Sequence, residues 1–234
     1  MDISQDQLNQ ILNRGQTVTL KGMDLSTLNF EGANLEGANL EGTFLDGASF
    51  KNANLTNANL IEAVVNKADF DGAQMEGAIL HWADFTEADM TKVAGMQKAT
   101  FNKAVLLDAN FSGVDLTEAA FNGANLNDTI LTKATLASAN MREADMRGAD
   151  FSGANLQSVD MSRAQAQSAK FVGAKLDSAY LESADMRNAD FTDAKLRFSI
   201  FVNTNLEGAK IDEVALERAE NLAGAIMPDG TTHA

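Results

Sequence analysis

The side chains that could do chemistry in this sequence are nearly all carboxylates. The chain of 234 residues carries 33 Asp and Glu, 2 His and no Cys. Paired carboxylates can act as general acid and base or ligate a hard cation, but both roles need a cleft that makes them converge. His81 and His233 are far apart in sequence, and no His or Cys pair has metal-ligand spacing. The 17 Gly follow a repeat, and no G-x-x-x-x-G-K-[ST] phosphate loop occurs. The expectation is no catalytic, cofactor-binding or metal-binding residue, no cofactor and no enzyme. A net charge of −15 excludes attraction to a phosphate backbone, so nucleic acid is not the expected partner. Without cysteine there is neither a disulfide nor a thiolate site. No apolar run approaches the ~20 residues of a membrane span, and the N-terminus has no signal-peptide pattern. A cytoplasmic protein with no membrane partner is expected.

These side chains ride on a period of five. Large apolar residues stand at Leu20, Leu25, Phe30, Leu35 and onward to Met90. One residue is then added, and the series resumes at Met96, Phe101 and Leu106 and runs to Leu216. Of these 40 centres, 39 are Leu, Phe, Met, Val or Ile, with Ala166 the exception, so the period must reflect a buried row. Ala stands two residues before the centre in 30 of 40 units and Asn or Asp one residue before it in 20, which places a polar outward position between two inward ones. Steps of five smear around an α-helix, advancing ~140° past a full turn, and alternate faces on a strand. A short repeat sustained along a chain instead marks a solenoid, in which each unit buries its apolar face against its neighbours.

The units Ala33-Asn34-Leu35-Glu36-Gly37, Ala68-Asp69-Phe70-Asp71-Gly72 and Ala149-Asp150-Phe151-Ser152-Gly153 resemble the A(D/N)LXX motif of the pentapeptide-repeat family. The resemblance covers roughly residues 16–216. It implies an all-β fold, a right-handed quadrilateral β-helix in which four units make one square coil. The 40 units then make about ten coils, a rod about 48 Å long at ~4.8 Å per coil. Three regions are expected: a capping helix over 1–15, the β-helix over 16–216, and a C-terminal cap or tail over 217–234. Ser4-Gln5-Asp6-Gln7 fits a capping box, Leu8, Ile11 and Leu12 form an apolar stripe, and Gly15 suits a helix stop. Leu216, Ala219, Leu222 and Ile226 recur at helical spacing before a turn at Pro228-Asp229-Gly230, so a second short helical cap is expected there. The ending Gly224 to Gly230 resembles that of bacterial members.

Every fourth centre should stack along the axis. The column Phe30, Phe50, Phe70, Met90, Phe111, Leu131, Phe151, Phe171, Phe191, Ile211 holds seven of the 13 Phe, while the adjacent column from Leu35 to Leu216 holds none, so like side chains should stack. Ala166 lies between Met146 and Met186 in its column, where flexible methionines can fill the space it leaves. Register is kept only if the residue added within 91–95 bulges outward.

Charge is uneven. Residues 1–90 hold 14 acids and 4 bases (−10) and residues 91–234 hold 19 and 14 (−5), so acidity concentrates in the first part. Lys92, Lys98 and Lys103 cluster at the change. Some pentapeptide-repeat proteins protect DNA gyrase by imitating duplex DNA. Residues 16–90 carry −9, about one charge per 2 Å of axis against one per ~1.7 Å for DNA. Glu31, Asp69, Asp71 and Asp89 fall on one face and Asp24, Asp46, Asp84 and Glu87 on the next. These are the candidate mimicry acids; the alternative is a solvated surface that keeps the rod soluble. The chain has only a one-residue insertion where gyrase-protecting members often carry loops.

Outward apolar residues form two further candidates. Phe44, Ile61, Val64, Ile79, His81 and Trp82 fall on or beside one corner and make a candidate partner-binding surface. Tyr180, Phe198, Ile200 and Val202 cluster near the C-terminal end, to be covered by residues 217–234 or by a second copy, since family dimers often form through this end. The function expected is a non-enzymatic protein–protein interaction module that presents flat faces to a protein partner. The alternative is a DNA mimic that binds gyrase or another topoisomerase and confers antibiotic or toxin resistance.

Overall fold

Residues 3–14 and 16–234 are described in a computed structural model of the chain; Gly15, the expected helix stop, lies outside them. The fold is a β-solenoid. Each five-residue unit turns the chain through one corner. The centre's C=O accepts the N–H three residues on, as from Phe30 to Ala33 at 2.9 Å and Leu55 to Ala58 at 2.9 Å. The third residue of each such turn is left-handed: Gly32 has φ +65 and Asn52 φ +56, and every unit from Gly22 to Gly208 repeats this except the one at Lys92. A side chain in that region costs roughly 1–2 kcal/mol, which explains the 13 Gly found there between Gly22 and Gly208.

The Asn or Asp one residue before the centre does more than face water. Its carboxyl or amide oxygen turns back and accepts the N–H two residues on, as in Asn29 to Glu31 at 2.8 Å, Asp150 to Ser152 at 2.9 Å and Asn205 to Glu207 at 3.0 Å. The turn N–H that the solenoid ladder does not reach is satisfied in this way. Successive coils are then joined by single-residue parallel bridges twenty residues apart, such as Asn34↔Asn54 and Asn140↔Asp160. Bridges fall at every fifth residue, so a coil has four sides.

The centres and the Ala two residues before them are buried almost throughout and form one continuous core. Where a hydroxyl replaces that Ala, it finds a carbonyl: Thr43 donates to Leu40 at 2.6 Å and Thr204 to Leu181 at 2.6 Å. The phenylalanine column stacks as two separate runs. Ring centroids are 4.7 and 5.1 Å apart in Phe30–Phe50–Phe70 and 5.2 and 4.9 Å in Phe151–Phe171–Phe191. A third stack, Phe101 on Phe121 at 4.8 Å, lies in another column.

The added residue is accommodated at Ala94. Val93 packs against the core, Ala94 is exposed, and Gly95 takes the bridge position opposite Gln74. Bridges across this coil span twenty-one residues, as in Ile79↔Thr100, and the core stays in register. The ladder gives way nearby: among the described residues Asp69 bridges back to Ser49 but not forward to Asp89.

Both ends depart from the repeat. Helix α1 (Gln5–Leu12) begins with a capping box between Ser4 and Gln7 and buries Leu8 on the first coil. The helical spacing from Leu216 to Ile226 does not form a helix. Helix α2 is the single turn Glu213–Leu216, capped by Asp212, and the chain then rejoins the solenoid through the bridges Ile200↔Asn221 and Asn205↔Ile226. Bridge pairing with the coil below prevails over the local spacing. Ile226 then pairs antiparallel with Thr232, closing that edge.

Candidate functional site

The apolar corner is built from adjacent coils. Phe44 bridges Val64, Val64 bridges Asp84, and Asp84 bridges Val105, which sets Phe44, Val64 and Val105 on one strip. Across the corner, Ile79 bridges Asn59 below and Thr100 above. Ile61 and His81 occupy equivalent positions in successive coils, with Glu62 N–H donating to His81 C=O at 2.9 Å. The structure therefore places all six expected residues on or beside one corner. Ile61, Val64 and His81 are half-buried, whereas Phe44 and Trp82 are 54% and 55% exposed.

Trp82 occupies the left-handed position of its turn, at φ 61. Among the described non-glycine residues so placed, only Trp82 and Phe198 are aromatic. The backbone aims that position outward and disfavours bulk there, so an exposed indole is retained against local preference. Lys103 crosses from the next coil and places its ammonium 4.6 Å from the Trp82 ring centroid. His81 Nε2 lies 3.4 Å from Asn102 Nδ2, and Asn102 Oδ1 accepts from Asn122 Nδ2 at 2.8 Å. The expected set omits Lys103 and Val105. Counting twenty-one residues across the added one from Trp82 and Asp84 reaches both.

At the C-terminal end, Tyr180 bridges Ile200 and Ile200 bridges Asn221. The tail thus pairs with the backbone at Ile200, and Phe198 N–H donates to Arg218 C=O at 2.9 Å. It does not cover the rings: Tyr180 and Phe198 are 49% and 56% exposed, and the Arg197 guanidinium sits 5.1 Å from the Phe198 centroid. Val202 is half-buried, and its C=O accepts from Ser183 N–H.

Several of the acids expected on the surface have structural partners. Asp24, Asp69, Asp84 and Asp89 accept the N–H of the following turn. Asp69 also pairs with Lys51 at 3.0 Å and Asp71 with Lys92 at 3.0 Å. Burial raises the Asp69 pKa, but the Asp71 N–H and Lys51 outweigh it and hold the carboxyl below its usual range. The same pairs raise Lys51 and Lys92, each through its hydrogen bond to the carboxylate. Lys98 approaches Glu76 at 3.9 Å, so Lys92, Lys98 and Lys103 all serve contacts between coils. Glu31, Asp46 and Glu87 are exposed. Among the described residues, no three His, Cys, Asp or Glu are grouped to hold a metal, and no helix is long and apolar enough to cross a membrane.

Family models match most of the chain. The model described as pentapeptide repeats (8 copies) matches residues 18–52, 29–64, 53–91, 169–208 and 189–220, and that of a pentapeptide repeat region matches 94–171. Among solved structures, the chain is similar to HetL, a pentapeptide repeat protein involved in heterocyst differentiation regulation from Nostoc sp. strain PCC 7120. Identity is 26%, coverage is 100% of both chains, and the TM-score is 0.45. It is also similar to QnrB1, a plasmid-mediated fluoroquinolone resistance protein, at 15% identity, with 88% of this chain and 94% of that one covered and a TM-score of 0.46. No curated protein matches.

Proposed function

The chain belongs to the pentapeptide-repeat family, and from that premise we propose that it is a non-enzymatic interaction module whose corner around Trp82 binds a protein partner. The rod is in this reading a right-handed square coil of about ten turns working in the cytoplasm of a bacterium. The observation that carries the proposal is the exposed Trp82 beside Ile79. Ile79 is bonded to Ala58 and Leu60 in the coil below and Trp82 N–H to Asn102 C=O in the coil above, so binding would freeze little further backbone motion. Phe44, Ile61, Val64 and His81 supply the apolar surround, and Lys103 is a polar contact at its rim. The experiment is affinity capture from the native host with the wild-type chain and with the double variant Ile79→Asp, Trp82→Asp. Loss of the captured partner, with the circular dichroism spectrum intact, supports the corner; unchanged capture refutes it.

The second reading is mimicry of duplex DNA towards gyrase. The acidity of residues 16–90, about one net charge per 2 Å, favours it. The turn-capping roles of Asp24, Asp69, Asp84 and Asp89 and the lysine partners of Asp69 and Asp71 weigh against it. Inhibition of gyrase supercoiling by micromolar protein would support this reading, and no effect would end it. Homodimerisation through the C-terminal end, with Tyr180, Phe198, Ile200 and Val202 at the contact, belongs to either reading.

A further inference from the structure

Each side of a coil is closed onto the next coil by one residue that uses both its N–H and its C=O. Asn39 shows the pattern, donating to Val18 C=O at 2.8 Å and accepting from Leu20 N–H at 2.8 Å. On the coil of residues 189–206, three of the four sides are closed in this way. Lys210 fills the place between Ala189 and Phe191, Glu220 and Asn221 that between Ser199 and Phe201, and Ile226 that between Thr204 and Leu206. The fourth side is open. Neither Ala194 C=O nor Leu196 N–H has a hydrogen-bond partner among the described residues. Ala215, which the repeat would place there, sits in α2 and donates to Asp212 C=O at 3.0 Å.

The open half-bridge faces a cavity of about 320 Å³ lined by Ala194, Lys195, Leu196, Arg197, Arg218 and Asp177, with Ala215 on the α2 side. Leu196 is only 1% exposed, so its N–H is withheld from bulk water and costs free energy while unpaired. The lining is net cationic on a chain of net charge −15: Lys195, Arg197 and Arg218 stand against the single carboxylate of Asp177. Lys195 bridges Lys175 directly, a like-charge pair that destabilises a ladder. None of Lys175, Lys195, Arg197 and Arg218 makes an ion pair among the described residues.

The opposite end of the rod shows what closes such a gap. There Asn29 presents an N–H and a C=O with no coil beneath, and the side-chain amide of Gln5 bonds both. The gap at Ala194 and Leu196 has the same two-point requirement, with cations around it. We propose that this notch is a second binding site that takes a short, extended acidic peptide. One peptide residue donates its N–H to Ala194 C=O and accepts from Leu196 N–H; its own carboxylate, on the outward face shared with Lys195, pairs with that lysine, and the carboxylates two residues away on either side reach Arg197 and Arg218. The site is independent of the Trp82 corner.

The test uses the full chain and a fluorescein-labelled, amidated five-residue peptide of alternating glutamate and alanine. Fluorescence anisotropy should show saturable binding. N-methylation of the central amide, or the double variant Lys195→Gln, Arg218→Gln, should each weaken it about tenfold or more. In the ¹⁵N–¹H spectrum of the wild-type chain, the Leu196 amide should shift on titration. The Trp82→Asp variant should bind the peptide as the wild type does. Absence of saturable binding, equal binding of the peptide with lysine in place of glutamate, or an unmoved Leu196 amide overturns the proposal.

Discussion

The side chain of Gln5 stands in for a missing coil beneath Asn29. Its Oε1 accepts from Asn29 N–H at 2.8 Å and its Nε2 donates to Asn29 C=O at 2.9 Å. A carboxamide carries the same donor and acceptor as a peptide group, so it ends a parallel ladder without leaving an edge open to another chain. Helix α1 thus covers the apolar end of the rod with Leu8 and pairs one side of its polar edge with Gln5.

Replacing Gln5 with Ala removes both bonds and should cost about 1 kcal/mol, reduced by solvent access. Gln5→Glu keeps the acceptor and loses the donor, so its cost should be intermediate at neutral pH. Faster hydrogen exchange at Asn29 in Gln5→Ala, with exchange in the middle coils unchanged, checks this. Equal protection in variant and wild type would remove Gln5 from the cap.

Acid should loosen the rod through its turn carboxylates. In Asp185, the hydrogen bonds from Arg187 lower the pKa, burial opposes them, and the Arg187 and Gln167 bonds prevail. Asp160 is lowered in spite of its burial, by Ser162 and Arg142. Their folded pKa values lie below the unfolded one. The stability they contribute is therefore complete above about pH 4 and drains away as pH falls through the folded values. The denaturant midpoint should accordingly be flat near neutrality and fall below about pH 4. In Asp185→Asn that acid-side fall should be shallower.

Ala166 is fully buried at a centre that elsewhere holds a large side chain, between Met146 and Met186 in its column. Ala166→Leu should be tolerated or stabilising, with the methionines moving aside at a cost below about 1.5 kcal/mol. A melting curve checks this; a fall of more than about 10 °C would show that the methionines cannot yield.

Deleting Ala94 should preserve the fold, because this exposed residue is extra to the beat. The deletion asks Lys92 to adopt the left-handed turn conformation that Lys67, Lys98 and Lys103 already hold. The circular dichroism spectrum should be unchanged and the melting temperature should shift by only a few degrees. Loss of the folded spectrum would mean that the bulge sets the register.

The solenoid was legible because burial in it depends on a short period. A residue such as Phe50 is buried by Phe30 and Phe70, twenty residues away on either side, so counting alone finds its neighbours. What escaped were roles that depend on hydrogen-bond direction. Nothing in the spelling of Asp150 distinguishes a solvated carboxylate from one that caps the Ser152 N–H. The spacing of Leu216, Ala219, Leu222 and Ile226 suits a helix, yet pairing with Ile200 and Asn205 draws Asn221 and Ile226 into the solenoid. At the corner, Trp82 and Ile79 stood out as apolar residues at outward positions. Lys103 did not, because a lysine at an outward position is ordinary in this repeat and its place over the indole depends on the direction of its side chain.

The central claim is that the Trp82 corner recognises a protein. It is tested most directly by immobilising the wild-type chain and the Ile79→Asp, Trp82→Asp variant, exposing both to native-host extract, and quantifying captured proteins by mass spectrometry. At least one protein should be enriched on the wild type and lost from a variant whose circular dichroism is unchanged. Identical captured sets on the two chains would contradict the account.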